Sequence, residues 1–227
     1  MLALGATTAV FGQISVLKKV DDKYNSATHL KVIQSIQIFE DARDARPVLE
    51  ERSVIIKTPG LFYAKGPKTA VLIADDIGVK VNELSKTIVI DSLDQQRKAE
   101  VIDSRLALFV EEADTTVLDT LPAGNIMART AFLKEDKMAF EFEIDPNKMA
   151  IVSMKETKIS PSHDEERGKV YPMKLTKTES VEFEPAELES IKKLADFIQY
   201  DAQNQLVPND FFRGYTLINP LNMKPQI

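Results

Sequence analysis

Ser53 to Asp91 reads SVIIKTPGLFYAKGPKTAVLIADDIGVKVNELSKTIVID. Thr58-Pro59-Gly60, Lys65-Gly66-Pro67-Lys68, Asp75-Asp76 and Asn82-Glu83 carry turn chemistry, and Val, Ile, Leu and aromatic residues fill the gaps between them. Short strands at this spacing form an up-and-down antiparallel meander, which curls into a shell around apolar material. The fold and any function turn on what such a shell encloses.

Long strands are expected before the meander, over 29–40 and 48–57, joined by the turn DARDARP. An amphipathic helix over Ile14–Ser26 precedes them, with Val16, Leu17, Val20 and Tyr24 on one face. After Asp91, Ser92-Leu93-Asp94-Gln95 has the Ser-x-x-Gln form of a capping box. It opens a second helix whose apolar stripe is Ile102, Leu106, Phe109, Val110 and Ala113.

Strands resume at 115–121 and 126–133. Lys137–Ile144 (KMAFEFEI) alternates cleanly, with Met138, Phe140, Phe142 and Ile144 directed inward. Strands at 149–159 and 169–178 follow as a hairpin. Glu184-Pro185 opens a third helix over 185–200 with the stripe Leu188, Ile191, Ala195 and Ile198, and a last strand covers 211–218. The class is α+β: a strongly curved, mostly antiparallel sheet, an unclosed barrel, covered by amphipathic helices.

The chain of 227 residues is 44% hydrophobic, enough for a sizeable core. Its net charge of −6 and scattered Lys/Arg argue against nucleic acid as a partner. Cysteine is absent, which excludes disulfides, thiolate metal sites and a cysteine nucleophile, and suits an oxidising compartment. MLALGATTAVFGQ is apolar, with no charge before Lys18. It reads as a secretory leader over residues 1–13 that lacks its basic start, the alternative being an N-terminal strand or helix packed on the domain. Residues 14–227 then form a single domain, since no Gly/Ser/Pro-rich linker or fixed-period repeat marks a boundary.

Ile56-Lys57-Thr58-Pro59-Gly60-Leu61-Phe62, Val71-Leu72-Ile73-Ala74-Asp75-Asp76 and Lys86-Thr87-Ile88-Val89-Ile90-Asp91, with the order of elements, resemble the LolA/LolB-type lipoprotein carrier superfamily. The resemblance implies an unclosed β-barrel with a helical lid around a cavity that receives lipoprotein acyl chains. It also implies a periplasmic, monomeric, non-catalytic chaperone whose partners are acylated lipoproteins or another lipid. An inner-membrane transporter and an outer-membrane acceptor would complete the route. Thr58 stands where the family commonly has a basic residue before the proline, with Lys57 beside it. The 185–200 helix is an addition to the family pattern.

The residues expected to line the cavity are Phe62, Leu106, Phe109, Met138, Phe140, Phe142 and Ile144, the alternative being ordinary core packing. Met127, Met149, Met154, Met173 and Phe132 enrich the same strands in adaptable side chains. No cofactor or metal is expected: Asp75, Asp76, Asp91, Asp94 and the His163–Glu166 run lack the glycine-spaced pattern of a calcium loop. Gly-x-Ser-x-Gly, His-Glu-x-x-His and phosphate-loop motifs are missing, so no enzyme is expected. Two rivals stay open: an envelope sensor or interaction module that recognises lipoproteins without transport, and a β-shell hydrolase working through carboxylates.

Overall fold

The computed structural model describes residues 4–66, 68–134, 137–185, 192–220, 222–223 and 225, with the side chains of residues 4–14, 99 and 100 left aside. The α-helices among the described residues are α1 (Leu4–Ser26), α2 (Gln95–Ile102) and α3 (Leu106–Glu112). The first six strands are β1 (Leu30–Phe39), β2 (Leu49–Thr58), β3 (Leu61–Lys65), β4 (Thr69–Ala74), β5 (Ile77–Asn82) and β6 (Thr87–Ser92). After the helices come β7 (Thr115–Thr120), β8 (Ile126–Phe132), β9 (Met138–Asp145), β10 (Ala150–Lys158), β11 (Ser162–Asp164), β12 (Gly168–Val170) and β13 (Met173–Phe183). The chain ends with β14 (Ile198–Tyr200), β15 (Leu206–Pro208) and β16 (Thr216–Ile218).

Hydrogen bonding orders twelve strands as β16-β6-β5-β4-β3-β2-β1-β13-β10-β9-β8-β7, an open sheet. The meander pairs from β2 to β6 are antiparallel, as are β13–β10, β10–β9, β9–β8 and β8–β7, whereas β16 runs parallel to β6. The chain divides into two compact units. One comprises Met1–Ser26, Gln34–Arg52 and Ser104–Val181; the other comprises Ala27–Ile33, Ser53–Asp103 and Glu182–Ile227.

In the meander unit, the expected turns form by their expected chemistry. Gly60 sits at φ +73° and its carbonyl accepts the Asp75 N–H at 2.8 Å, while Asn82 Oδ1 accepts the Leu84 and Ser85 N–H groups. Alternation along β3, β4, β5 and β6 sends Tyr63, Leu72, Val79, Val81, Ile88 and Ile90 to one buried face. Phe197 and Ile198 complete that core.

The other unit carries α1 and α3 over the inner face of β8 and β9. Leu17 and Val20 of α1, Leu106 and Val110 of α3, Ile126 and Ala128 of β8, and Phe142 and Ile144 of β9 make its core. The opposite face of these strands is a charged ladder: Lys155 pairs with Glu141, Glu141 with Arg129, and Arg129 with Asp119. One apolar and one charged face is the normal division of an antiparallel sheet with one solvated side. The wholly buried Asp41 carboxylate binds Arg43 through Nε at 2.8 Å and Nη2 at 2.5 Å, and that guanidinium holds the carboxyl far below the usual carboxylate range. Arg43 Nη2 also donates to the Lys169 carbonyl, which ties the 40–47 turn to β12.

Four sequence expectations need correction. The second helix is two helices, broken at Asp103–Arg105, because the Asp21 carboxylate takes the Ser104 hydroxyl and the Leu106 and Ala107 N–H groups. The cap of α2 is Asp94, whose Oδ1 accepts the Arg97 N–H, and not Ser92, which lies at the end of β6. The helix expected over 185–200 does not reach Tyr200. Residues 186–191, with Leu188 and Ile191, lie outside the described residues; Leu194–Asp196 is a single 3₁₀ turn and Ile198–Tyr200 is β14, paired with β15. Ile198 is drawn into the meander core, and that burial overrides its helical spacing. The last strand is likewise shorter than expected, since Asp210–Phe212 is a 3₁₀ turn.

Candidate ligand-binding site

α3 aims Phe109 at the inner face of the β8–β9 pair. Its ring lies 4.8 Å from Phe132 of β8 and 4.9 Å from Phe140 of β9, edge-on to the latter at 87°. Phe142 lies 5.7 Å away at 81°. Phe140 and Phe142 share a face because they are two residues apart on a strand, and their rings stack at 6.2 Å. Edge-to-face pairs of this kind suit the ring quadrupole and add about 0.5–1.5 kcal/mol each beyond burial.

Beside these rings is a cavity of about 370 Å³, within the lower part of the range for ligand pockets. Phe109, Phe132, Met138 and Phe140 supply its apolar wall. Glu112, Asp114 and Lys134 add charge. Asp114 Oδ2 accepts the Leu133 N–H at 2.7 Å, which chiefly holds its carboxyl below the usual value, and Lys134 Nζ stands 3.5 Å from Oδ1. The hydroxyls of Thr130 and Thr176 are buried without a hydrogen-bond partner among the described residues. Thr130 lies opposite Phe140 in the β8–β9 ladder, and Thr176 lies opposite Met154 in the β10–β13 ladder.

Of the seven residues expected to line a cavity, Phe109, Met138 and Phe140 do line this one. Leu106, Phe142 and Ile144 are buried in the packed core of the same unit. Phe62 belongs to the meander unit, where it is buried on β3 opposite Ile73. The polar residues Glu112, Asp114 and Lys134 were not expected. Glu112 closes α3, Asp114 stands directly before β7 and Lys134 follows β8, so it is the fold that brings them to the rings. Among the described residues no group of three or more His, Cys, Asp or Glu side chains converges as a metal site. The chemistry on offer is burial: each methylene removed from water is worth about 0.8 kcal/mol.

No family model matches this chain, and no curated protein matches it. Among solved structures it is similar to an uncharacterized conserved protein from Thermus thermophilus, at 13% identity and a TM-score of 0.43, over 90% of this chain and 97% of that one. It is similar to a LolA superfamily protein from Nitrosomonas europaea, at 9% identity and a TM-score of 0.31, over 77% and 94%. It is also similar to a putative outer membrane lipoprotein-sorting protein domain from Vibrio parahaemolyticus, at 8% identity and a TM-score of 0.32, over 78% and 94%.

Proposed function

We propose that this protein is a non-catalytic carrier that holds a lipid acyl chain, free or attached to a lipoprotein, in the cavity beside Phe109. The observation behind this reading is an aromatic and methionine wall next to unfilled space, with a charged margin formed by Glu112, Asp114 and Lys134. Rings and thioether adapt to chains of differing shape, while the charged groups favour keeping a polar ester or peptide end in water. In this reading the sheet is curved and unclosed, and α1 and α3 act as its cover. Loading needs α3 to shift, and release follows when a membrane or acceptor protein offers an equal apolar site.

In this reading the activity belongs in the periplasm. Among the described residues no helix is long and apolar enough to cross a membrane. An inner-membrane transporter and an outer-membrane acceptor are the partners this reading calls for.

Titration with a fluorescent fatty-acid probe, and native mass spectrometry after gentle purification, test it together. Saturable probe binding that is lost in folded Phe140→Asp is the expected result. A clean apoprotein without probe binding would move the assignment to an interaction module. Ester or glycoside turnover abolished by one Asp or Glu change would move it to an enzyme.

A further inference from the structure

The meander unit has a cavity of its own, about 310 Å³, built from different residues. Tyr63 of β3 and Phe197 form part of it, their rings 6.3 Å apart. Phe212 stacks on Phe197 at 5.8 Å, and Phe211 meets Phe212 edge-on at 5.1 Å. Phe211 is 85% exposed, so a ring held by only one neighbour faces open space at the cavity.

Charge of both signs surrounds these rings. Glu83 and Asp196 line the cavity, and after burial itself they are what pushes the Tyr63 phenol up. Lys65 and Lys192 also line it, and neither forms an ion pair among the described residues. Tyr63 itself is buried, 6% exposed.

We propose that this cavity binds a zwitterion: an alkylammonium group seated against Tyr63, Phe197 and Phe211, joined by a short link to a phosphate held by Lys65 and Lys192. Ring faces attract ammonium groups, quaternary ones included, and Glu83 and Asp196 supply the countercharge. A bare anion would meet two carboxylates, and a neutral apolar group would leave both lysines unanswered. The ligand chemistry is therefore that of phosphocholine or phosphoethanolamine, from a phospholipid head group or a soluble phospho-amine. The proposal does not depend on the acyl-chain cavity, since the two share no residue.

Calorimetric titration with phosphocholine, phosphoethanolamine and glycerol 3-phosphate tests it, alongside flotation with phosphatidylcholine and phosphatidylglycerol vesicles. The variants are Phe211→Ala and Glu83→Gln, both at exposed positions, with circular dichroism to confirm folding. The expected result is saturable binding of the phospho-amines, weakened roughly threefold to thirtyfold in Phe211→Ala, with glycerol 3-phosphate not bound. Binding of free phosphocholine without flotation identifies a soluble ligand. Flotation on phosphatidylcholine alone, lost in Phe211→Ala, identifies the membrane surface. Neither binding nor flotation, equal binding of glycerol 3-phosphate, equal flotation on phosphatidylglycerol, or no effect of Phe211→Ala overturns the proposal.

Discussion

The carboxylate of Asp21, on α1, accepts the backbone N–H of Leu106, on α3, at 2.9 Å. The same side chain accepts the Ala107 N–H at 2.7 Å and the Ser104 hydroxyl at 2.5 Å. One acid, 7% exposed, thus caps a helix 85 residues further along the chain. α3 in turn carries Phe109 to the cavity, so this cap links the position of α1 to the geometry of the candidate site.

Replacing Asp21 by alanine leaves one buried N–H group, one part-buried N–H group and a hydroxyl unanswered. The expected loss is about 2–4 kcal/mol of unfolding free energy in urea. Asp21→Asn keeps one acceptor oxygen and should lose about half as much. Probe affinity at the Phe109 cavity should fall in both variants while they remain folded, as α3 loses its seat.

The stacked pair on β9 separates packing from binding. Phe142→Ala cuts into the core and should cost about 3–5 kcal/mol in urea unfolding, whereas Phe140→Ala, at the half-buried cavity wall, should cost clearly less. Fatty-acid probe affinity should respond more strongly to Phe140→Ala. Equal stability losses with unchanged probe binding would mean that both rings are core.

Glu184 gives a signed pH effect. Its Oε1 accepts the Thr28 and His29 N–H groups at 2.6 and 3.1 Å, and Oε2 lies 3.0 Å from His29 Nδ1. The His29 N–H is the largest influence holding this carboxyl below its usual value. A depressed folded-state pKa contributes stability that is fully present above the unfolded value, about 4.3, and is lost as the pH falls through the folded value. Glu184→Gln should therefore lower the melting temperature at pH 7, and the difference from wild type should close as melts are repeated below about pH 4. Asp41, held low by Arg43, should lose its contribution in still more acidic solution.

Gly60 has φ +73°, and a Cβ there would stand 3.1 Å from Asp75 Oδ1. Gly60→Ala should destabilise by about 1–2 kcal/mol, through left-handed backbone strain and the crowded carboxylate. Gly60→Asn should cost less on the backbone count, because asparagine tolerates that region. Urea midpoints of the two variants decide it.

The strands were legible because their information is local. KMAFEFEI alternates, and β9 runs from Met138 to Asp145 with Phe142 and Ile144 buried. The turns at Gly60 and Asn82 follow from residue type alone. The break between α2 and α3 was not legible, since Leu106, Phe109 and Val110 continue a helical stripe from Ile102. What interrupts it is a hydrogen bond to Asp21, which no sequence window contains. Ile198 failed for a similar reason, its burial among β5 and β6 residues outweighing a good helical spacing. At the candidate site, the rings were visible as a Phe/Met-rich pair of strands. Asp114 and Lys134 were not, because a charged residue carries the same text whether it faces bulk water or a pocket.

β16 covers the outer side of β6 with only three residue pairs, Thr216 with Thr87, Leu217 with Ile88 and Ile218 with Val89. That short parallel hem covers part of an edge that would otherwise be free to pair with other chains. Cleavage ahead of Tyr215 would remove this cover, and the expected result is greater self-association, read by light scattering after limited proteolysis. Handling that spares the tail matters more here than its length suggests.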